Sequence, residues 1–163
     1  MHLTATRIRG FTLVESMVVI AITSILAISA APSFSDFIAG QRVKTAAFDL
    51  FSDLVFARST AIKTNSEVII AQAAGGWSAG WKITWVDKGG VTRTLRTYET
   101  PVGALAMTGS TGQFGFQRNG RPLAGTSAVQ FTLDDGGGKA AVPPRCVQVD
   151  AGGRPNSLMG ACS

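Results

Sequence analysis

The 163 residues carry 15 Lys and Arg against 10 Asp and Glu, a net charge of +5, and so mild a surplus argues against a protein built chiefly to coat nucleic acid. The single histidine is His2 and the only cysteines are Cys146 and Cys162, which leaves His-dependent triads and His- or Cys-ligated metals without material. No catalytic residue, metal or cofactor is implied, and a structural or binding role is expected rather than an enzyme.

Residues 1–10 form a short basic leader with Arg7 and Arg9. Without those two the basic count falls to 13 against 10 acidic. From Phe11 to Ala31 the chain is apolar with Glu15 as its only charge, long enough as a helix of about 31 Å to cross a bilayer core. The two arginines would hold that end in the cytoplasm and the rest would be exported. A cleaved secretory signal, a permanent anchor and a buried core helix are the competing explanations. A signal cut after Ser29-Ala30-Ala31 would leave Pro32 just beyond the bond, where cleavage is expected to be poor. A plain anchor has no reason to hold Glu15 one turn inside the apolar run, because a carboxylate in lipid costs a few kcal/mol unless it is paired.

The segment Arg9-Gly10-Phe11-Thr12-Leu13-Val14-Glu15 resembles the processing site of type IV prepilins and type II secretion pseudopilins. The resemblance implies that a prepilin peptidase cuts between Gly10 and Phe11 and methylates the new Phe11 amine. It further implies that Glu15 answers that amine on a neighbouring subunit, and that Pro32 is the family's helix-breaking proline. The implied setting is the inner membrane, spanned once with the N-terminus cytoplasmic and the head periplasmic. The implied partners are other major and minor pilins or pseudopilins in a filament, and an inner-membrane assembly platform.

From residue 32 to 64 apolar positions recur at intervals of three and four: Phe34, Phe37, Ile38, Ala47, Phe48, Leu50, Phe51, Leu54, Val55, Ala61 and Ile62. This predicts an amphipathic helix ending near Lys63 to Asn65, with Asp49, Asp53 and Arg58 among the residues mainly on its polar side. Strands are expected at Glu67–Ala73, around Trp81–Trp85, at Val91–Tyr98, at Phe114–Phe116 before the Asn119-Gly120 turn, at Val129–Leu133 and near Arg145–Asp150. Turns fall at Asp87–Gly90, Asp134–Gly138 and Ala151–Gly153. A long helix followed by an antiparallel sheet, here a head over residues 65–163, is an α+β fold.

Cys146 and Cys162 suit one disulfide in an oxidising compartment, with two free thiols as the alternative. The aromatics Trp77, Trp81, Trp85, Phe114 and Phe116 are read as core rather than as a stacking surface. The Asp134–Gly138 run is read as a solvated turn rather than a cation site.

The order of head elements, with Phe114-Gly115-Phe116-Gln117-Arg118-Asn119-Gly120-Arg121-Pro122 and Gly153-Arg154-Pro155, is similar to the GspH/FimT group. That resemblance implies a minor pilin of a type IV pilus, or the corresponding minor pseudopilin of type II secretion. Some members of the group bind DNA for uptake in natural transformation through a glycine, arginine, any residue, arginine motif; here Asn156 replaces the second arginine. A DNA-capturing subunit, binding weakly through Arg121, Arg145 and Arg154, is the third expectation.

Overall fold

The computed structural model describes residues 10–87, 89–100, 105–123 and 128–163, with the backbone alone at 30–32. Residues 1–9 of the leader, Lys88 of the expected Asp87–Gly90 turn and the side chain of Pro32 fall outside this description. The chain divides into two compact units, one ending at Ser35 and the other spanning Asp36–Ser163.

Helix α1 runs from Leu13 to Thr64. The backbone stays helical through 30–32, and the break between the pieces Leu13–Ser29 and Ser33–Thr64 falls where Pro32 is expected to weaken or kink the helix. Among the described residues no single helix is long and apolar enough to cross a membrane, whereas Leu13–Ser29 and Ser33–Thr64 together qualify by length and composition. The helix ends where its sequence ends it. Asn65 takes a left-handed φ of 52°, Ser66 N–H returns to Ala61 C=O (3.2 Å) and Asn65 N–H to Ile62 C=O (3.4 Å). This pattern satisfies carbonyls that a terminating helix would otherwise orphan.

In the second unit α1 buries Val43, Ala46, Ala47, Leu50, Leu54, Ala57 and Ala61. Phe48, Val55 and Ile62, expected on the buried stripe, are instead exposed, and Asp53, expected on the polar side, is buried. The cause is angular: 48, 55 and 62 recur every seven residues on one side of the helix, while Asp53 lies one turn from both Leu50 and Ala57, at the edge of the buried side.

Two four-stranded antiparallel sheets replace the one expected. The strands are β1 Val68–Ala73, β2 Gly76–Val86, β3 Thr92–Glu99, β4 Ala106–Gly109, β5 Gln113–Phe116, β6 Val129–Asp134, β7 Arg145–Val149 and β8 Pro155–Met159. Their orders are β3-β2-β1-β5 and β4-β6-β7-β8. Trp77 joins the sheets: its ring meets Phe131 edge-on at 4.8 Å and its Nε1–H donates to Thr111 C=O at 2.7 Å. Trp81, Phe114 and Phe116 are buried and Trp85 packs partly buried against them, so the aromatics are core. The Asp134–Gly138 segment is a turn tied to its own amides, with Gly136 N–H on Asp134 (2.7 Å) and Gly137 N–H on Asp135 (3.3 Å).

Candidate functional site

The N-terminal segment is built from its own polar groups. The Glu15 amide donates to Thr12 Oγ1 (3.2 Å), and the Thr12 amide donates back to Glu15 Oε2 (3.5 Å). Thr-x-x-Glu is the reciprocal arrangement that satisfies two orphan amides at a helix start. Its signal in the sequence is the three-residue spacing of Thr12 and Glu15. The hydroxyls further along are also satisfied internally: Thr23 donates to Val19 C=O (2.6 Å), Ser24 to Ile20 C=O (2.7 Å) and Ser29 to Ile25 C=O (3.1 Å). Such bonds remove the penalty of hydroxyls in an apolar medium. Phe11 is 77% exposed, and Leu13, Val14, Met17, Val18, Ile20 and Ile25 are each more than half exposed. The result is a helix with an apolar surface, one carboxylate near its start, and Gly10-Phe11 exposed just before it.

Within the second unit two turns of like sequence, Gly120-Arg121-Pro122 and Gly153-Arg154-Pro155, lie against each other. A Cβ on Gly153 (φ +79°) would come 2.0 Å from the Gly120 carbonyl oxygen. Arg58 of α1 clamps both, with Nε donating to Gly120 C=O (3.0 Å) and a terminal nitrogen to Gly152 C=O (3.3 Å). Arg121 and Arg154 are therefore brought onto adjacent turns, both exposed. Arg154 is engaged with Asp150, through its amide (2.8 Å) and its Nε (3.1 Å). Those two bonds, the amide first, hold the Asp150 carboxyl below the usual carboxylate value.

Arg145 does not join them. It stands opposite Met159 at one end of the β7–β8 ladder, whereas Val149 and Pro155 pair at the other, about 13 Å away along the strand. The expected three-arginine patch is thus divided. Cys146 and Cys162 are joined by a disulfide, and the tail it fastens crosses the outer face of the second sheet, Cys162 N–H bonding Thr132 Oγ1 (3.2 Å).

Residues 46–153 match the family described as type II transport protein GspH, about two thirds of the chain. The chain belongs to the GspH family. Residues 6–31 match the prokaryotic N-terminal methylation motif. With that motif, a member of this family is a pilin-like structural subunit, a minor type IV pilin or a minor pseudopilin. Among solved structures the fold is similar to the type IV minor pilin FimU of Pseudomonas aeruginosa, at 21% identity and TM-score 0.62, covering 72% of this chain and 89% of that one. A second crystal form of FimU gives 22% identity and TM-score 0.59, covering 71% of this chain and 91% of that one. The minor pseudopilin EpsH of the Vibrio cholerae type 2 secretion system gives 9% identity and TM-score 0.59, covering 72% and 97%. No curated protein matches the chain.

Proposed function

We propose that this GspH-family chain is a minor subunit of a type IV pilus that primes, caps or enters the filament. A prepilin peptidase cuts it between Gly10 and Phe11 and methylates Phe11. Before assembly it is held in the inner membrane, crossing once with the head in the periplasm, and the assembly platform then moves it into the filament among other major and minor pilins. The observation that carries this reading is the N-terminal helix: its apolar side chains are exposed, its hydroxyls bond to its own backbone, and Glu15, capped by the Thr12 amide, has no counter-charge among the described residues. In a filament that partner is the Phe11 amine of a neighbour, so two groups that are costly in an apolar medium become a pair.

Mass spectrometry of the native protein tests the processing step. The expected N-terminus is methylated Phe11; a chain starting at Met1 or at Pro32 refutes it.

The minor pseudopilin of a type II secretion system is the second reading, supported by the family's own description. Deletion in the parent organism separates the two. Loss of surface pili with secretion intact selects the pilus, and retained pili with exoproteins trapped in the periplasm selects the pseudopilus.

A further inference from the structure

Strand β8 is the last strand of its sheet, paired on one side with β7 and with no strand on its other side among the described residues. The phase of its hydrogen bonding is fixed at both ends. Asp150 N–H bonds Arg154 C=O, and Gly160 N–H bonds Pro144 C=O. In an antiparallel ladder such pairs alternate, so Asn156 and Leu158 turn their main-chain groups toward β7, while Pro155, Ser157 and Met159 turn theirs outward. Pro155 has no N–H to lose at that edge. Ser157 and Met159 keep theirs, so the strand offers two outward donors and two outward acceptors.

In register with Arg145 and Val147, Met159 and Ser157 share the sheet face that looks toward α1. There the two elements leave an open groove of about 330 Å³ lined by Gln41, Lys44, Thr45, Phe48, Arg145 and Ser157. Phe48 is 67% and Met159 71% exposed. Lys44 and Arg145 form no salt bridge among the described residues.

We propose that this edge and groove take an extended segment of another protein as an added strand beside β8, with an acidic side chain of that segment between Lys44 and Arg145. Outward main-chain groups select an extended backbone, Phe48 and Met159 supply apolar contact, and the two unpaired cations set the sign of the partner. A second copy of this chain fits poorly. Pairing two β8 edges would bring Arg145 and Lys44 toward their own equivalents, and the exposed edge strand β3 carries Arg93 and Arg96, so either arrangement sets like charges together.

The test places a photo-crosslinking amino acid at Ser157 or Met159 of the full chain in its own membrane, with Gly137 in the distant turn as control, and identifies the crosslinked peptide by mass spectrometry. The expected product is one peptide of another protein, an apolar stretch holding an acidic residue. Its yield should fall by about fivefold or more in the Lys44→Glu, Arg145→Glu double variant and recover when the acid in that peptide is changed to lysine. Ser157→Pro, which removes an outward N–H and leaves the β7 bonds in place, should lower the Met159 crosslink as well. Formation of the Cys146–Cys162 bridge reports that each variant has folded. A crosslink to lipid, to a second copy or to a peptide without an acid overturns the proposal. So does a yield no higher than at Gly137, or one that neither the charge reversal nor Ser157→Pro changes.

Discussion

Gly153 and Gly120 meet backbone to backbone: any side chain at 153 would place its Cβ 2.0 Å from the carbonyl oxygen of Gly120, with φ at +79°. Gly153→Ala therefore adds a backbone clash to a left-handed strain, on the order of 3 kcal/mol or more together. Gly152→Ala is the control. Its Cβ would meet only the Asp150 carboxylate, at 3.1 Å, and a flexible side chain yields. Thermal unfolding of the two variants should show a large loss for the first and little change for the second.

Asp53 ties α1 to the first sheet. Its carboxylate accepts from Trp81 Nε1 (2.9 Å) and from Arg96 (2.9 Å), and the guanidinium lies 3.9 Å over the ring of Phe56. Removing the arginine leaves a buried carboxylate with one neutral donor. Arg96→Ala is expected to cost about 1–2 kcal/mol, discounted because Arg96 is itself half exposed. Asp53→Ala should cost about 2–3 kcal/mol, since it strands the indole N–H in the core. Denaturant titration that finds Asp53→Ala neutral would remove this account of the helix–sheet contact.

The sequence could be read at the level of element type because the apolar spacing and turn residues agree: the Asn65 terminus and six of the eight strands lie where they were expected. β4 and β8 were missed for one reason. Ala106-Met107-Thr108-Gly109 is short and Pro155-Asn156-Ser157-Leu158-Met159 opens on proline. Neither alternates in polarity, and both are edge strands held by a neighbour's hydrogen bonds rather than by their own propensity. Phe48, Val55 and Ile62 were assigned to the core because hydrophobicity alone does not say which of two helix faces the sheet covers. At the N-terminus the methylation motif was legible, whereas the reciprocal Thr12–Glu15 bonds were not among the expectations. In the head, the division of Arg145 from Arg121 and Arg154 depends on strand register, which no local pattern discloses.

Tyr98 stacks on Trp81 at 4.0 Å, and burial, followed by the charge of Asp49 and a hydrogen bond to it, pushes its hydroxyl from 10.0 up to about 12. The folded state therefore holds this proton where the unfolded chain releases it. The stability this contributes is complete below about pH 10 and is lost as pH rises through about 12. Unfolding measured from pH 8 to 12 should show a decline beginning near pH 10, and Tyr98→Phe should flatten it. An identical alkaline decline in both chains would assign it to other groups.

The Cys146–Cys162 bridge closes a loop of sequence separation 16, worth on the order of 3 kcal/mol in chain-entropy terms. Replacing both cysteines by serine should lower stability by that order. The loss should concentrate in β8 and the tail, because α1 and the first sheet make no use of the bridge. Hydrogen exchange is the readout: Asn156 and Leu158 amides, directed toward β7, should lose protection well before Val68 and Ile70. Uniform loss across the head would show that the bridge supports the whole fold.

Glu15 has two roles that one substitution separates. In the single chain its carboxylate caps the Thr12 amide; in the filament it is proposed to meet a neighbour's Phe11 amine. Glutamine can still accept in the first role but carries no charge for the second. Glu15→Gln should therefore keep the helix start and membrane insertion, even favouring insertion by removing a charge from the apolar run. Its share of sheared filaments should nevertheless fall by roughly tenfold or more, corresponding to about 1.4 kcal/mol or more of lost pairing. Thr12→Val does the reverse, removing a cap worth about 1 kcal/mol while leaving the charge in place, and should be incorporated nearly normally. Quantifying both variants in the membrane and in filaments decides between the roles. Normal incorporation of Glu15→Gln alongside poor incorporation of Thr12→Val would mean that the helix start, and not the charge, is what assembly requires.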